Sequence, residues 1–547
     1  MPTVNFVNQQ LKAEVPEGTP LITAARAAGV TIETPCNGVG TCGKCKVRLA
    51  EKSQLKNAEI HGSHPSLTEA EIQDGYILAC QAKVKGNIDI LYNEKTAENR
   101  NVRIISSGHT FDYEVKSFIT KKTDGKNTKV FGGGALLGTE DGDTVDKIYG
   151  IALDIGTTTM VAELYNLTDG KILASESMLN PQSAYAQDVL SRIHFAKGEN
   201  GLTVLYEAFL KAFGALRDSI VNTAQIDPKY IYEVVFSGNT AMLHLATNTD
   251  PSPLGKYPYL SNVKGGESIP ATGLGISNFG LVYLPPIISA FVGADITSGI
   301  FISKLKERKG KTLFIDIGTN GEIVMADNGR LAATSTAAGP AFEGMNIACG
   351  MRAAPGAVEQ FAIDEKRGFS FKTIGGSKAT GICGSGLLDI AGELVRTKVI
   401  EKTGRFAKAN PLLKEHNGKP AFFITDDVFL TLQDVRQVQL AKGAIRSGIT
   451  ALLNSLGIGA GDIDEALIAG SFGYHLSESS LLNIGLLPPE LQGKIKFLGN
   501  TSQSGAAAFL LNADFRKTIP AIIEGVEKIE LANTPHFDEL FVQSLGF

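Results

Sequence analysis

The chain has 547 residues, which is too long for one hydrophobic core, so about three or four structural units are expected. Its net charge of −5 lacks the basic excess typical of nucleic-acid binding. No apolar run reaches the ~18 residues needed to cross a bilayer. The N-terminus also lacks the basic-then-apolar pattern of a secretory signal. We therefore expect a cytoplasmic protein that binds neither nucleic acid nor membrane.

Residues 1–93 have the pattern of a small unit of strands and one short helix. TVNFV and KAEV alternate like the two strands of a hairpin, and PLITAARAAG predicts a short helix. KVRLA and GNIDILY predict two further strands. The glycine-rich loop CNGVGTCGKC lies between the helix and the strand that begins near Lys46.

The cysteines of this unit predict a metal centre. Disulfides are rare in a large chain without a secretory signal. The spacing is Cys-x5-Cys-x2-Cys, followed 34 residues later by a fourth cysteine in the strand-like YILACQAKV. Zinc sites usually take two close pairs of ligands, whereas three ligands from one loop and a distant fourth are typical of 2Fe–2S ferredoxins. The five-residue first gap matches the adrenodoxin subtype. We predict a 2Fe–2S cluster, with zinc as the alternative, on Cys36, Cys42, Cys45 and Cys80.

The remaining two cysteines, Cys349 and Cys383, are predicted to have no metal role. Residues 94–148 are polar and rich in turn residues, which predicts a linker with at most a few short strands. From Tyr149 onward, apolar strands alternate with amphipathic helices, the pattern of an α/β domain. Apolar stripes along 205–220 and 438–452 predict helices packed against a core.

An internal repeat divides this α/β region in two. IALDIGTTTMVAELY (151–165) and LFIDIGTNGEIVMAD (313–327) share two apolar strands joined by the turn Asp-Ile-Gly-Thr, 162 residues apart. This spacing predicts a duplicated fold with halves at 149–310 and 311–547. Each turn can present backbone N–H groups and hydroxyls to an anion, while its aspartate can hold a hydrated Mg²⁺. Two such turns facing each other would hold the two ends of a triphosphate.

Two glycine-rich turns add to this candidate site. In LIAGSFG (467–473) an apolar strand enters a turn where an adenine ring could lie against bare backbone. In GICGSGLLDI (381–390) a glycine turn leads into a helix, whose N-terminus favours anions.

These motifs resemble those of the ASKHA superfamily of acetate and sugar kinases, heat-shock 70 chaperones and actin. The resemblance covers about 149–547 and implies a duplicated ribonuclease-H-like, actin-like ATPase fold with ATP and Mg²⁺ in the cleft between the halves. It assigns the first phosphate motif to Asp154, Gly156, Thr157, Thr158 and Thr159, the second to Asp316, Gly318, Thr319, Asn320 and Glu322, and adenosine binding to Gly470, Ser471 and Gly473. Of these, we predict Asp154, Asp316 and Glu322 to be catalytic, with Asp154 and Asp316 placing Mg²⁺ and water around the γ-phosphate. The glycine turn before the helix adds Gly384 and Ser385 to the predicted nucleotide-binding residues.

The whole chain resembles the reductive activators of corrinoid proteins, in which a β-grasp 2Fe–2S ferredoxin domain is fused to an ASKHA domain. The blocks that carry this resemblance include NPQSAYAQDVLSRI (180–193), VVFSGNTAMLHL (234–245) and LGNTSQSGA (498–506). It implies ATP-dependent transfer of one electron from the cluster to a corrinoid protein of a methyltransferase system, which returns cobalt(II) to cobalt(I). It also implies an upstream electron donor and a homodimer.

This chain departs from the family pattern in two places. Larger members carry a middle domain between ferredoxin and ATPase, for which 94–148 is too short, and Ala186 stands where the family often has glycine. The Gly/Ala-rich block 337–359 is predicted either to face the partner or to line the cleft.

Three alternative functions stay open on the sequence. One is an ATP-dependent activator of another low-potential enzyme, such as a 2-hydroxyacyl-CoA dehydratase. Activators of that class usually hold a 4Fe–4S cluster between subunits, so the 2Fe–2S loop argues against it. The others are a small-molecule kinase fused to a ferredoxin, and a redox sensor or scaffold that binds nucleotide without catalysis.

Overall fold

The structure, a computed structural model, describes residues 1–30, 32, 34, 40, 43–60, 66–92, 114–364, 368–470 and 476–547. Across these ranges, no helix combines the length and apolar character needed to span a membrane.

The N-terminal unit is a mixed sheet with two short helices packed on it, which confirms the predicted β-grasp ferredoxin fold. Its helices are α1 (Leu21–Ala27) and α2 (Glu69–Gln73). Its strands are β1 (Thr3–Phe6), β2 (Leu11–Glu14), β3 (Lys46–Leu49), β4 (Ala58–Ile60), β5 (Tyr76–Leu78), β6 (Ala82–Val84) and β7 (Ile88–Leu91). The five-stranded sheet has the order β2-β1-β7-β3-β5, with β1 and β7 parallel, while β4 and β6 form a separate pair. Alternate strand residues such as Val4, Phe6 and Ile90 are fully buried because each strand turns one face to the core.

The prediction of a continuous strand around Cys80 is wrong. A 3-10 turn at Ala79–Gln81 separates β5 from β6, so Cys80 lies in a turn between two strands. Ala79 N donates to Cys45 O at 3.0 Å, and this contact draws the turn towards the cysteine loop.

The described part of the predicted linker forms a three-stranded antiparallel sheet. Its strands are β8 (Ile119–Thr123), β9 (Asn127–Gly132) and β10 (Ala135–Asp141). Ile119 and Val130 are buried in the hydrophobic core of the α/β region that follows. Lys121 Nζ lies 2.8 Å from both Glu140 Oε2 and the hydroxyl of Tyr232, which belongs to that α/β region. This small sheet is therefore packed onto the α/β region.

The first half of the α/β region is built on a six-stranded sheet of order β13-β12-β11-β14-β16-β15. Its strands are β11 (Tyr149–Ile155), β12 (Thr159–Asn166), β13 (Ile172–Leu179), β14 (Ile231–Gly238), β15 (Ser268–Pro270) and β16 (Leu281–Tyr283). Its helices are α3 (Val189–Ala196), α4 (Gly201–Ala224), α5 (Thr240–Ala246) and α6 (Ala294–Ile302). The predicted apolar stripe lies on α4 and is buried, which confirms that prediction.

The second half repeats this plan with the sheet β27-β26-β17-β18-β19-β28 and two smaller sheets. The strands are β17 (Lys311–Ile317), β18 (Gly321–Asp327), β19 (Arg330–Thr336), β20 (Ala357–Asp364), β21 (Gly368–Thr373), β22 (Gly381–Ile382), β23 (Leu413–His416), β24 (Lys419–Phe423), β25 (Phe429–Thr431), β26 (Glu465–Ala469), β27 (Ile495–Gly499) and β28 (Val526–Lys528). The helices are α7 (Gly384–Arg396), α8 (Leu432–Leu456), α9 (Glu478–Asn483), α10 (Thr501–Leu511), α11 (Asp514–Glu524) and α12 (Phe537–Gln543). The stripe predicted along 438–452 is buried on α8.

The duplication is visible in the strand pairing. β11 pairs antiparallel with β12 and parallel with β14, and β17 pairs antiparallel with β18 and parallel with β26. The two Asp-Ile-Gly-Thr turns are therefore the tips of equivalent hairpins. The second half also contributes a helix to the first, because α10 packs against α6, β11 and β14. Gln503 on α10 donates to Ala152 O at 3.2 Å and to Glu163 Oε2 at 3.1 Å.

Candidate nucleotide site and cluster site

The two hairpin turns line the same cleft. Every described residue that the sequence analysis placed in the nucleotide site lies on the wall of this cleft, whereas Ser471 and Gly473 lie outside the described residues. The Thr158 and Thr319 hydroxyl oxygens, one from each turn, are 3.4 Å apart. The residues brought together are Asp154, Gly156, Thr157, Thr158, Thr159, Asp316, Gly318, Thr319, Asn320, Glu322, Gly384, Ser385 and Gly470.

The carboxylate of Asp154 is held by two donors from the far end of the chain. It stands at the end of β11 and accepts from Asn500 Nδ2 at 2.8 Å and from Ser502 Oγ at 2.7 Å. Desolvation in the cleft raises the pKa of Asp154, and the two hydrogen bonds oppose this rise because they stabilise the charged form. The C-terminal block LGNTSQSGA thus completes the first turn.

The second turn carries a pair of carboxyl groups. Asp316 on β17 and Glu322 on β18 are directly opposite in the antiparallel register, so their side chains share a face of the sheet. Desolvation, followed by the charges of Asp295 and Asp154, raises the pKa of Asp316 to about 8. Desolvation likewise raises the pKa of Glu322 well above its ordinary value, with Asp295 and Asp316 adding to it.

Asp295, which the sequence analysis did not single out, is a further carboxyl group of the cleft wall, besides Asp154, Asp316 and Glu322. It lies in the first turn of α6, and desolvation, then the charge of Asp154, raises its pKa to about 7. Mutual repulsion of this kind favours a bound cation when the groups ionise.

The donor set suits Mg²⁺ bound partly by substrate. Among the described residues, no group of three or more His, Cys, Asp or Glu side chains converges closely enough to form a protein-only metal site. Mg²⁺ typically takes one or two carboxylates and completes its shell with phosphate oxygens and water. Asp154 and Asp316 at the tips of the two hairpins fit that requirement.

The block 337–359 lines the cleft, which was the second of its two predicted placements. Phe342, Glu343, Arg352, Ala353 and Glu359 all contribute to the wall. The Thr319 hydroxyl of the second turn donates to Glu343 Oε1.

Two of the predicted glycines are required by the close approach of protein backbone. Gly470 has φ +122°, and a Cβ there would lie 2.3 Å from Ile317 O. A Cβ on Gly384, the first residue of α7, would lie 1.8 Å from Phe342 O. Neither contact leaves room for a methyl group, so these glycines hold the cleft wall together whatever ligand it binds.

The predicted cluster site is described at two of its four cysteines. Cys45 is buried and Cys80 is half-buried, and their sulfur atoms are 3.2 Å apart. The Cys45 thiol, which hydrogen-bonds to Cys80, and then the Gln81 amide lower the pKa of Cys80 to about 7, against desolvation. Two thiolates on one metal ion, at bonds of about 2.3 Å, stand less than about 4.6 Å apart, so this pair fits a shared metal. Cys36 and Cys42 lie outside the described residues.

The other two cysteines lie in the second half of the α/β region. Cys383 is buried immediately before α7 and lines the cleft, and its Sγ is 3.2 Å from Val358 O. Cys349 lies in the block 337–359 and accepts from Phe429 N at 3.4 Å.

Several residues of the cleft wall were missed. Asn239 and the pair Asn500 and Ser502 lie in blocks that were noticed but given no role, and Arg352 belongs to a block whose placement was left open. The sequence around Asp295 shows only a glycine, Gly293, just before a helix that carries an acidic residue in its first turn, and this pattern does not indicate a binding site.

Comparison with known proteins follows the same division of the chain. Family models described as "2Fe-2S iron-sulfur cluster binding domain", "RACo middle region" and "C-terminal domain of RACo the ASKHA domain" match residues 5–85, 149–308 and 310–547. The corrinoid activation enzyme RamQ of Eubacterium limosum is 30% identical, over 95% of this chain and 94% of its own length. The chain belongs to the family of corrinoid reductive activators.

Other relatives carry related names. A solved structure entitled "Reductive activator for corrinoid,iron-sulfur protein" matches with a TM-score of 0.74 and 29% identity, covering 100% of this chain and 98% of the other. The reductase of the Co(II) methylated amine-specific corrinoid protein from Methanosarcina barkeri is 25% identical, over 73% of this chain and 77% of its own length. The predicted fold, a ferredoxin domain followed by an ASKHA domain, is confirmed.

The comparison also corrects one inference about the family. The model of the middle region matches 149–308, the stretch that we predicted as the first ASKHA half. The middle region of the corrinoid activators is therefore present in this chain, although 94–148 is too short to hold it.

Proposed function

We propose that this protein uses ATP to drive the one-electron reduction of a corrinoid protein of a methyltransferase system, from cobalt(II) to cobalt(I). The observation that carries the proposal is the joining of a ferredoxin domain to a cleft lined by two phosphate-type turns, in a chain that matches RamQ along nearly its full length. The names of that relative and of the Methanosarcina barkeri reductase support the same chemistry.

The electron port is assigned to the N-terminal unit. A 2Fe–2S cluster supplies reversible storage of one electron when it is bound. Its ligands are proposed to be Cys36, Cys42, Cys45 and Cys80. The lowered pKa of Cys80, about 7, makes its thiolate available at neutral pH, and Cys45 stands beside it.

The nucleotide site is assigned to the cleft. Asp154 and Asp316 are proposed to hold Mg²⁺, which would neutralise charge on the phosphates, and Glu322 to position water near the γ-phosphate. The two hairpin turns present backbone N–H groups and threonine hydroxyls to the phosphates. We assign the adenosine side to the turn at Gly470, Ser471 and Gly473, and a supporting helix N-terminus to Gly384 and Ser385.

Coupling between ATP and electron transfer requires two conformations. For one electron, each ~59 mV uphill costs a factor of about ten in the equilibrium constant. A bound ligand shifts such an equilibrium only through different affinity for the two states. A phosphate held between Thr158 and Thr319 would draw the two halves of the α/β region together. We propose that this closure changes how the activator binds the corrinoid protein.

The remaining predicted properties belong to the same proposal. We infer an upstream electron donor that reduces the cluster, a homodimer, and action in the cytoplasm without nucleic acid or membrane.

The test uses the full-length, cluster-loaded protein. The protein is reduced, mixed with a cobalt(II) corrinoid protein, and the corrinoid absorption spectrum is followed with ATP, without nucleotide, and with a non-hydrolysable ATP analogue. Cobalt(I) is expected with ATP and not in the other two samples. Failure of ATP to produce cobalt(I) with any cognate corrinoid protein would overturn the proposal, and a phosphorylated small molecule would favour the kinase alternative.

A further inference from the structure

A buried arginine lies directly behind the first phosphate turn. Arg192 on α3 has 0% of its surface exposed. Its guanidinium donates to Thr157 O at 2.6 Å, to Ala186 O at 3.0 Å and to Gln182 Oε1 at 3.3 Å. Nη1 also lies 2.9 Å from Met242 Sδ, and within the described ranges carboxylates act on Arg192 only through their charge, without a hydrogen bond. A buried charge normally has an ionic partner, so we ask what the charge of Arg192 does at this turn.

Arg192 belongs to a set of donors that hold the turn from behind. Asn180 Nδ2 donates to Gly156 O at 2.8 Å, and Asn180 N donates to Thr158 O at 2.8 Å. With the bond from Arg192 to Thr157 O, three successive carbonyl groups of the turn are bound by two buried residues that do not line the cleft.

These bonds decide which way the amides face. In a trans peptide the C=O and the N–H of the next residue point in opposite directions. Carbonyl groups of Gly156 and Thr157 that are held behind the turn therefore direct the N–H groups of Thr157 and Thr158 to its front. Asn239 Nδ2 fixes the Thr157 side chain as well, by donating to its Oγ1 at 3.0 Å.

The charge of Arg192 acts on the same turn. Desolvation lowers its pKa to about 9, against the charges of Asp188 and Glu343, and this leaves the guanidinium protonated at neutral pH. Arg192 and Thr157, which it contacts, are both buried, and charges interact more strongly in buried surroundings than in water.

We propose that Arg192 is a positioning residue of the nucleotide site: it orients the first phosphate turn, and its buried charge makes the site favour ATP over ADP. The preference follows because the Mg²⁺ complex of ATP carries one more negative charge than that of ADP. The proposal rests on the nucleotide site proposed above. Ala186 enters it through its backbone carbonyl.

The experiment measures binding of ADP and of a non-hydrolysable ATP analogue, each with Mg²⁺, to the full chain by calorimetry. Arg192→Gln removes the charge and is expected to weaken the ATP analogue about tenfold more than ADP. Arg192→Lys keeps the charge with fewer donors, so both ligands weaken but their ratio stays within about twofold of wild type.

Two further variants serve as controls. Asn180→Ala loosens the same turn without changing its charge, and is expected to weaken both nucleotides by the same factor. Arg516→Gln removes another buried arginine. Arg516 does not contact the turn, and its Nη1 lies 2.7 Å from Glu233 Oε1. The Arg516→Gln variant is expected to lower the melting temperature and leave the ratio of the two affinities unchanged.

The possible results separate the claims. Equal weakening of both ligands by Arg192→Gln would show a purely structural role and overturn the proposal. If that variant does not fold, Arg192→Lys decides, since a collapse of the ratio despite the retained charge overturns the proposal equally. A wild-type protein that binds neither nucleotide would instead contradict the proposed function.

Discussion

Replacing Ser502 with alanine removes one of the two donors that hold Asp154. Ser502 is the second residue of α10, is 6% exposed, and donates to Asp154 Oδ1 at 2.7 Å. The substitution deletes one oxygen atom and leaves Asn500 Nδ2 as the donor to Oδ2, at 2.8 Å. We expect the fold to persist and the carboxylate to lose its fixed orientation.

The magnitude follows from the type of bond. A hydrogen bond to a charged group contributes roughly 1.5–3 kcal/mol. Because Asn500 remains, we expect the lower part of that range, about 1.5–2 kcal/mol, which corresponds to about a 10–30-fold loss of kcat/KM for ATP hydrolysis. The lost donor also raises the pKa of Asp154 further, which would weaken the Mg²⁺ binding that we propose for this carboxylate.

The assay compares ATP hydrolysis stimulated by the corrinoid protein with the melting temperature in nucleotide-free buffer. Ser447→Ala is the matched control, because Ser447 is also a buried serine but donates to Ala444 O within α8, at 3.0 Å. Both variants are expected to lose similar stability, and Ser502→Ala alone to lose activity. Wild-type hydrolysis by Ser502→Ala, with a melting temperature lowered as in the control, would refute the assignment of Asp154.

Three further predictions concern other parts of the chain. Cys80→Ala is expected to lose the iron and the visible absorption of the purified protein, whereas Cys349→Ala keeps both; equal iron in the two would exclude Cys80 as a ligand. Gly384→Ala places a methyl group 1.8 Å from a backbone oxygen and is expected to lower the melting temperature strongly, while Gly461→Ala, with nothing within 4 Å, leaves it unchanged. Desolvation lowers the pKa of buried Lys442 to about 8, so above that pH the unfolded chain binds more protons and stability rises with pH. In denaturation experiments from pH 7 to pH 10, the free energy of unfolding of the wild type should rise by on the order of 3 kcal/mol relative to that of Lys442→Met. A difference between the two free energies that does not change with pH would contradict this.

Much of the cleft could be predicted because its parts are local in sequence. A strand, a four-residue turn and a second strand are encoded within about fifteen residues, and the repeat of that pattern identified both hairpins. The helix at Gly384 and the stripes on α4 and α8 follow from the same short-range periodicity. The prediction failed at Cys80 because YILACQAKV is mostly apolar and has no glycine or proline to mark the 3-10 turn.

The cysteine spacing and the repeated turns were sufficient, by themselves, to predict an iron–sulfur unit joined to a duplicated fold with two anion-binding turns, and the resemblance to the ASKHA superfamily made that fold an ATPase. The tertiary structure decided which distant residues complete the site. Asn500 and Ser502 reach Asp154 across some 350 residues because α10 packs on the first sheet. Arg192 has the sequence pattern of an ordinary helical charge, and it becomes a buried cation behind the phosphate turn because the block 180–193 folds over that turn. Such partners are set by packing between elements far apart in the chain, which no local pattern encodes.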